Sequence, residues 1–568
     1  MMPAMGVLLM VAANGAVLLG AYALLRKIRT GSPHRDLLLF FLLRLAIISG
    51  VVLLAGVLRL FTPWILGGAG AIALAALFRR GEHRELPRFR RPDLSSVALV
   101  FVGLLALRLA LQVWCFAPHQ PDTLAYHLPK IGEWIQHRGF TLEWGIDRRS
   151  TFPAGFELVE AWWVVFLRHD VLIEMAGIEF LLLAGAATQA IARDVGVAPR
   201  AAALAGLFYV MTPALLLQAV AALNDGPAAA LVVATAALVL SRAHPGLILL
   251  AVGLGLGVKP TYGFALPGIL LLHLLLPRTS EERPRSSRWA VSAGAVGLAI
   301  GASWYIRNLF QFGNPIHPMG AEGMQAMSGK TLQRMGPNLD SLVQNLRRLM
   351  DIRIYDSTLP YGAQCDMISG WGVIPFALGM VALVVVLRED RLLRRVALGF
   401  AAALVSVLLL VQSDPWYLRF TLFFPALLAV AVARLVEACP RAGLVASAAL
   451  LAQFLGTFVP GEMPVGGVRT LAEQGWRVRS LDASPPVETP GDAVGCYGGD
   501  ALRAYPLYRP DFSRRVVYLR AGSADELMAA MDRENVRVLL ANRLDPAITE
   551  AIHRGRLRRT VGSYYERP

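Results

Sequence analysis

Charged residues are scarce in this chain. They make up 17% of its 568 residues, against roughly a quarter in an ordinary soluble protein, while 55% is hydrophobic. With a mean hydropathy of +0.52, that scarcity excludes a soluble globular enzyme and leaves an integral membrane protein. Cysteine is scarce too: Cys115, Cys365, Cys439 and Cys496 are scattered, without the spacing of a disulfide scaffold or a zinc site. A Cys365–Cys496 bridge is the one pairing left open. Internal repeats and low-complexity tracts are absent, and the first apolar run lacks the basic n-region and cleavage site of a signal peptide.

What the chain has instead is long apolar runs. "LLLFFLLRLAIISGVVLLAGVLRL" and "LSSVALVFVGLLALRLALQVWCFA" each exceed the ~20 residues that cross about 30 Å of hydrocarbon as a helix. The formal charge of +15 does not imply nucleic acid. Its Lys and Arg residues sit mostly in short loops: "RKIRTGSPHR", "RRGEHRELPRFRRPD", "PRTSEERPRSSR" and "REDRLLRR". By the positive-inside bias these loops are expected in the cytoplasm. Alternation then puts "PDTLAYHLPK", "LNDGP", "RNLFQFGNPIHP" and "QSDPWYLR" on the extracytoplasmic face, together with the C-terminus. About fourteen spans are expected if "GFELVEAWWVVFLR" is a short interfacial or re-entrant helix.

The expected fold is an all-α polytopic bundle followed by a small extracytoplasmic α/β domain. Residues 1–93 form additional N-terminal spans. Residues 94–460 form the main transmembrane unit, with outer loops at about 118–155 and 310–369, and residues 461–568 form a linker and the small domain. There, "AVGCYGG", "RRVVYLR" and "VRVLLA" read as strands, and "SADELMAAMDREN" as a helix with a Ser523–Glu526 capping box.

On the outer face the ionisable groups gather in four places, where their cost beside a membrane makes them functional candidates. Asp122 leads an amphipathic pattern that carries Tyr126, His127 and Lys130. It is either the N-cap of a helix lying on the membrane or a base aimed by that helix. Asp225 opens another apolar run with the same two readings. Lys259 is either a snorkelling lysine or a phosphate contact, and Arg307 and Arg419 offer guanidinium forks on the same side. Several cations with two carboxylates at one face suit an anionic lipid head group meeting a base.

"PDTLAYHLP", "NDGPAAAL", "GLGLGVKPTYGFALP", "WYIRNLFQFGNPIHP" and "WYLRFTLFFPALLAV", in that order over residues 94–440, resemble the bacterial GT-C glycosyltransferases. The similarity is to the family 39-like branch, with its protein mannosyltransferases and lipid A aminoarabinose transferases. The resemblance implies an inverting transfer of sugar from a polyprenyl-phosphate donor to an acceptor hydroxyl of a lipid, polysaccharide or protein, at the outer face of the bacterial inner membrane. It casts Asp122 as general base, Asp225 as the second acid, and Lys259, Arg307 and Arg419 as phosphate ligands, with Tyr126, His127 and Lys130 beside them. It implies no certain cofactor. A divalent cation stays open, with Asp122, Asp225 and Glu157 as weak ligand candidates, because Thr123, Thr151 and Phe152 stand where relatives carry other residues. Two other readings remain: a transporter or flippase for lipid-linked sugars, or a polymerase or ligase of lipid-linked oligosaccharides.

Overall fold

The computed structural model describes residues 2–28, 30–82, 95–118, 120–141, 148–277, 287–318, 339–349, 371–411, 417–456, 493–498, 502–541, 545–560 and 562–568. Most of the expected outer loop 310–369, the linker from 461 and Cys365, hence any bridge to Cys496, lie outside the described residues.

Three N-terminal helices come first: α1 (Met2–Ile28), α2 (Pro33–Val57) and α3 (Pro63–Arg79). Next come α4 (Ser96–Cys115), α5 (Leu128–His137), α6 (Gly155–Val165), α7 (Met175–Asp194), α8 (Pro199–Val210) and α9 (Pro213–Ala219). Then follow α10 (Asp225–Leu240), α11 (Pro245–Val258), α12 (Leu266–Leu275), α13 (Arg288–Phe312) and α14 (Leu339–Leu349). The last helices of the bundle are α15 (Val373–Val386), α16 (Arg391–Leu410), α17 (Pro425–Ala438) and α18 (Ala442–Gly456). Among the described residues, six helices are long and apolar enough to cross a membrane, or seven if α8 and α9, bent by 69° at their break, make one span. Shorter apolar helices of 10–17 residues accompany them. The expected count of fourteen is thus not reproduced among the described residues. Leu8, Ile72, Val100 and Phe310 stand exposed on α1, α3, α4 and α13, as the lipid-facing surface of a multi-pass protein requires.

At the centre lies α10, buried along its whole length and packed on α7. A helix apolar on every side is stable only where neighbours cover every side. Glycines bring α11 and α13 into backbone contact: a Cβ on Gly253 would meet the Gly297 carbonyl oxygen at 2.2 Å, and one on Gly294 the Gly246 oxygen at 2.6 Å. Small residues allow this approach where lipid offers no hydrophobic drive for helix association. The N-terminal helices are tied in by polar bonds. Arg44 of α2 donates to both Glu179 oxygens on α7, at 2.8 and 3.0 Å, and to Asn14 of α1 at 2.8 Å. Trp163 of α6 donates to Glu179 at 2.9 Å. The short α6 is too brief to span, and it is enclosed by protein rather than spread on an interface.

The C-terminal module carries β1 (Ala493–Tyr497), β2 (Arg515–Leu519), α19 (Ala524–Arg533), β3 (Val538–Ala541), α20 (Pro546–His553), β4 (Arg558–Arg559) and β5 (Tyr564–Glu566). Its sheet runs β2-β1-β3-β5-β4, with the first three strands parallel. The Ser523 hydroxyl caps the Glu526 amide at 3.3 Å, while the Glu526 carboxylate reaches the Gly522 amide at 2.6 Å, one residue before the expected box partner. The module docks on α5. Tyr508 packs on Gly132 so closely that a Cβ there would lie 2.6 Å from its ring. The Gln136 amide donates to the Arg514 carbonyl at 2.9 Å, and the Tyr505 hydroxyl to Asp170 at 3.2 Å. The module therefore lies on the same side of the bundle as Asp122, which leads into α5.

Candidate active site

Asp122 is not a cap. Its backbone is already helical (φ −64°, ψ −41°), and its side chain makes no capping hydrogen bond. The turn that follows, Thr123–His127, is a π-helix in which the Leu128 amide donates to the Thr123 carbonyl. Pro129 accounts for the widening, since it has no amide to offer Ala125 and its ring crowds that carbonyl. The Thr123 hydroxyl pins the turn to the Ala221 carbonyl at 2.6 Å, just ahead of α10.

The Asp122 carboxylate is thus left to side chains. Oδ1 accepts from Arg149 Nη1 at 2.8 Å, and Oδ2 from Arg419 Nη1 at 3.4 Å. Arg419 also turns its Nε toward Asp225 Oδ2, 3.8 Å away, while Lys259 donates to Asp225 Oδ1. Asp225 does not cap α10 either. The first-turn amide of Gly226 donates to Gln218 at 2.7 Å, and Asn224 donates to the Val258 carbonyl at 3.3 Å, beside Lys259. Rings support the cations: Arg149 lies 4.4 Å over Tyr126, and Lys259 and Arg419 lie 4.9 and 5.2 Å over Phe420. Burial pushes the Asp122 carboxyl up, but Arg419 and Arg149, helped by His127 and Lys259, outweigh it and hold the group below its ordinary value. Among the described residues, Arg149, Arg419 and Lys259 thus gather around Asp122 and Asp225.

Beside this cluster a narrow cleft runs from Asp225, Lys259 and Arg419 along Val232, Phe420 and Phe423. It is cationic at one end and apolar along its wall.

The remaining candidates lie elsewhere. His127 and Lys130, expected beside the donor phosphate, are buried on Glu157, whose Oε1 takes Lys130 Nζ at 2.6 Å and His127 Nδ1 at 2.9 Å. Burial pushes the His127 imidazole down against the pull of Glu157. Glu157 therefore does not join Asp122 and Asp225, and all three carboxylates are engaged by cations. The described residues hold no group of three or more His, Cys, Asp or Glu able to bind a metal ion; this donor set does not fit one. Arg307 does not join Lys259. It donates to the Thr151 carbonyl and, at 2.8 Å, to Asn308, lies 4.9 Å over Trp304, and faces a different cavity.

Arg149 was missed in sequence because "GIDRRST" reads as a solvated loop. Its signal was a pair of arginines in the same outer segment as Asp122.

No protein-family model and no curated protein matches the chain. Among solved structures, the Archaeoglobus fulgidus oligosaccharyltransferase in its apo form is similar at 11% identity and a TM-score of 0.36, over 80% of this chain and 70% of that one. The same protein in complex with Zn and sulfate gives 13% identity and a TM-score of 0.39, over 79% and 68%. At such TM-scores the likeness assigns neither a fold family nor an activity.

Proposed function

We propose that the chain is a membrane glycosyltransferase of the GT-C type. It moves a sugar from a polyprenyl-phosphate donor to an acceptor hydroxyl at the outer face of the bacterial inner membrane, with inversion. The observation that carries this reading is the juxtaposition of Asp122 with an anion cradle of Arg149, Arg419 and Lys259, which opens into an apolar-walled cleft. The apolar wall suits a lipid chain, and the gathered guanidiniums and ammonium suit its phosphate.

The acceptor oxygen bonds to the anomeric carbon as the bond from that carbon to the phosphate oxygen breaks. The electron pair leaves with the polyprenyl phosphate, which gains a negative charge, and the hydroxyl proton passes to Asp122. Lys259 and Arg419 offset the charge that develops on the leaving oxygen. Asp225 holds both cations in place. In the free protein Arg149 and Arg419 keep Asp122 a weak base. A bound phosphate draws those guanidiniums toward itself and raises the basicity of the carboxylate when the acceptor is present.

The test is the purified protein with a defined polyprenyl-phosphate sugar and candidate acceptors. Release of polyprenyl phosphate together with an inverted product supports the reading. Movement of intact donor across reconstituted vesicles, with neither product, overturns it in favour of a flippase.

A further inference from the structure

Thr123 uses its side chain differently from the threonines of the central helices. Thr188 of α7 and Thr235 of α10 turn their hydroxyls back to the carbonyl four residues earlier in the same helix, Ala184 at 2.9 Å and Leu231 at 2.7 Å, the usual local bond of a helical threonine. Thr123, wholly buried, reaches another segment of the chain. Its hydroxyl proton is shared between the carbonyls of Ala221 and Ala222, at 2.6 and 3.1 Å, in the loop that joins α9 to α10.

We propose that Thr123 is a positioning residue for the transfer: its hydroxyl locks the turn that carries Asp122 to the loop that leads into Asp225, and so sets the two carboxylates on either side of Arg419. The inference rests on the transferase reading above.

Each side of this bond is itself held. In the turn, the Leu124 amide donates to the Gln120 carbonyl at 2.9 Å and the Leu128 amide to the carbonyl of Thr123, so these residues move together. Asp122 is one Cα step, about 3.8 Å, from the anchor. Beyond the loop, the Gly226 amide donates to Gln218 at 2.7 Å and Asn224 donates to the Val258 carbonyl at 3.3 Å. Asp225 is therefore held from both neighbours.

The loop between carries a strained residue. Ala222 has a φ of +54°, a left-handed backbone that its Cβ makes costly. Such a conformation persists where the surroundings impose it, and Thr123 engages the two carbonyls that flank the Ala222 Cα. Arg419 does not set the spacing by itself. Its approaches to Asp122 and Asp225, 3.4 and 3.8 Å, are longer than the ~2.7–2.9 Å of a close charge-assisted hydrogen bond. The guanidinium thus spans a gap that the two backbones define.

The test uses the full-length protein, with turnover read as release of farnesyl phosphate from farnesyl phosphate carrying mannose or glucose, whichever the parent uses. Thr123→Val removes the hydroxyl at nearly constant volume. Its kcat should fall about ten-fold or more, since a misplacement of about 1 Å can cost about 100-fold, while the donor KM and the affinity for farnesyl phosphate change little. Thr123→Ser keeps the hydroxyl and should retain most of the rate. If Thr123→Val fails to fold, Thr123→Cys carries the test, because its thiol is a weak donor that still occupies the site.

A kcat in Thr123→Val equal to the parent's, a parallel loss of farnesyl phosphate binding, or a Thr123→Ser variant as slow as Thr123→Val overturns the proposal. The transferase reading fails by a separate sign: the parent itself releases no farnesyl phosphate, which removes this role for Thr123 as well.

Discussion

Asp122 and Asp225, far apart in sequence, are joined by one guanidinium: Arg419 lies 3.4 Å from the first through Nη1 and 3.8 Å from the second through Nε. This bridge makes the two carboxylates one electrostatic unit. A perturbation of either is therefore felt at the other.

Asp122→Asn tests the base. Asn keeps the size of the side chain and, through its single carbonyl oxygen, one of the two hydrogen bonds from Arg149 and Arg419, but it takes up no proton. Transfer should fall by about 100-fold or more, the usual scale for general-base loss, with little change in melting temperature. Near-normal transfer would remove Asp122 from the chemistry.

The pH profile follows from the lowered pKa of Asp122. The folded value lies below the unfolded one of about 3.9. The ionised carboxylate therefore contributes stability above about pH 4, and that contribution is lost as pH falls through the folded value. From pH 5 upward kcat/KM should show no acid limb from this group. In the donor complex the phosphate competes for the guanidiniums, so the acid limb of kcat should lie at higher pH than that of kcat/KM. Coincident limbs would argue against this exchange of partners.

Lys259→Gln removes a cation from the apolar-walled cleft. Donor binding should weaken by about 1.5–3 kcal/mol, the value of a charge-assisted hydrogen bond, as measured by titration with a short-chain polyprenyl phosphate. Unchanged affinity would reassign Lys259 to holding Asp225 alone.

Gly132→Ala drives a methyl group into the Tyr508 ring. A cost of about 1–3 kcal/mol is expected, as for overpacking elsewhere, read as a lower melting temperature and faster proteolysis within residues 493–568. Adding Tyr508→Leu should restore much of the loss. A melting temperature equal to the parent's would show that the module does not bear on α5 as described.

Arg44→Met leaves Glu179 charged and buried. The single change should cost about 3–5 kcal/mol, whereas Arg44→Met with Glu179→Leu should recover most of it. Thermal unfolding in detergent reads both. Equal loss in the two variants would mean that packing of the Arg44 stem, not its charge, ties α2 to α7.

Asp122, Asp225, Lys259 and Arg419 stood out in the sequence because each is an ionisable group beside an apolar run, a cost that composition alone exposes. Their pairing was not legible, since it depends on how α10, α11 and the turn at 417–421 meet in space. The cap readings of Asp122 and Asp225 failed for local reasons. Pro129 converts the start of the helix to a π-turn, and Gln218, from a preceding helix, satisfies the α10 amide instead. Arg307 parted from Lys259 although both lie at the same end of their helices, because its place near the end of α13 turns it toward Thr151. The strands of the C-terminal module follow their apolar runs. Their docking through Tyr505 and Tyr508 depends on a glycine in α5, Gly132, that has no distinguishing context in the sequence.

The bridge through Arg419 also sets when the charge cluster is complete. A ribosome emits the chain from its N-terminus, so Asp122 and Asp225 are made and inserted long before Arg419. In that interval two acidic groups face each other without the cation that joins them. The module that clamps α5 arrives later still. Completion of this charge cluster is thus tied to late synthesis: a product that stops short of Arg419 holds Asp122, Asp225 and Lys259 and lacks the cation that joins the two carboxylates.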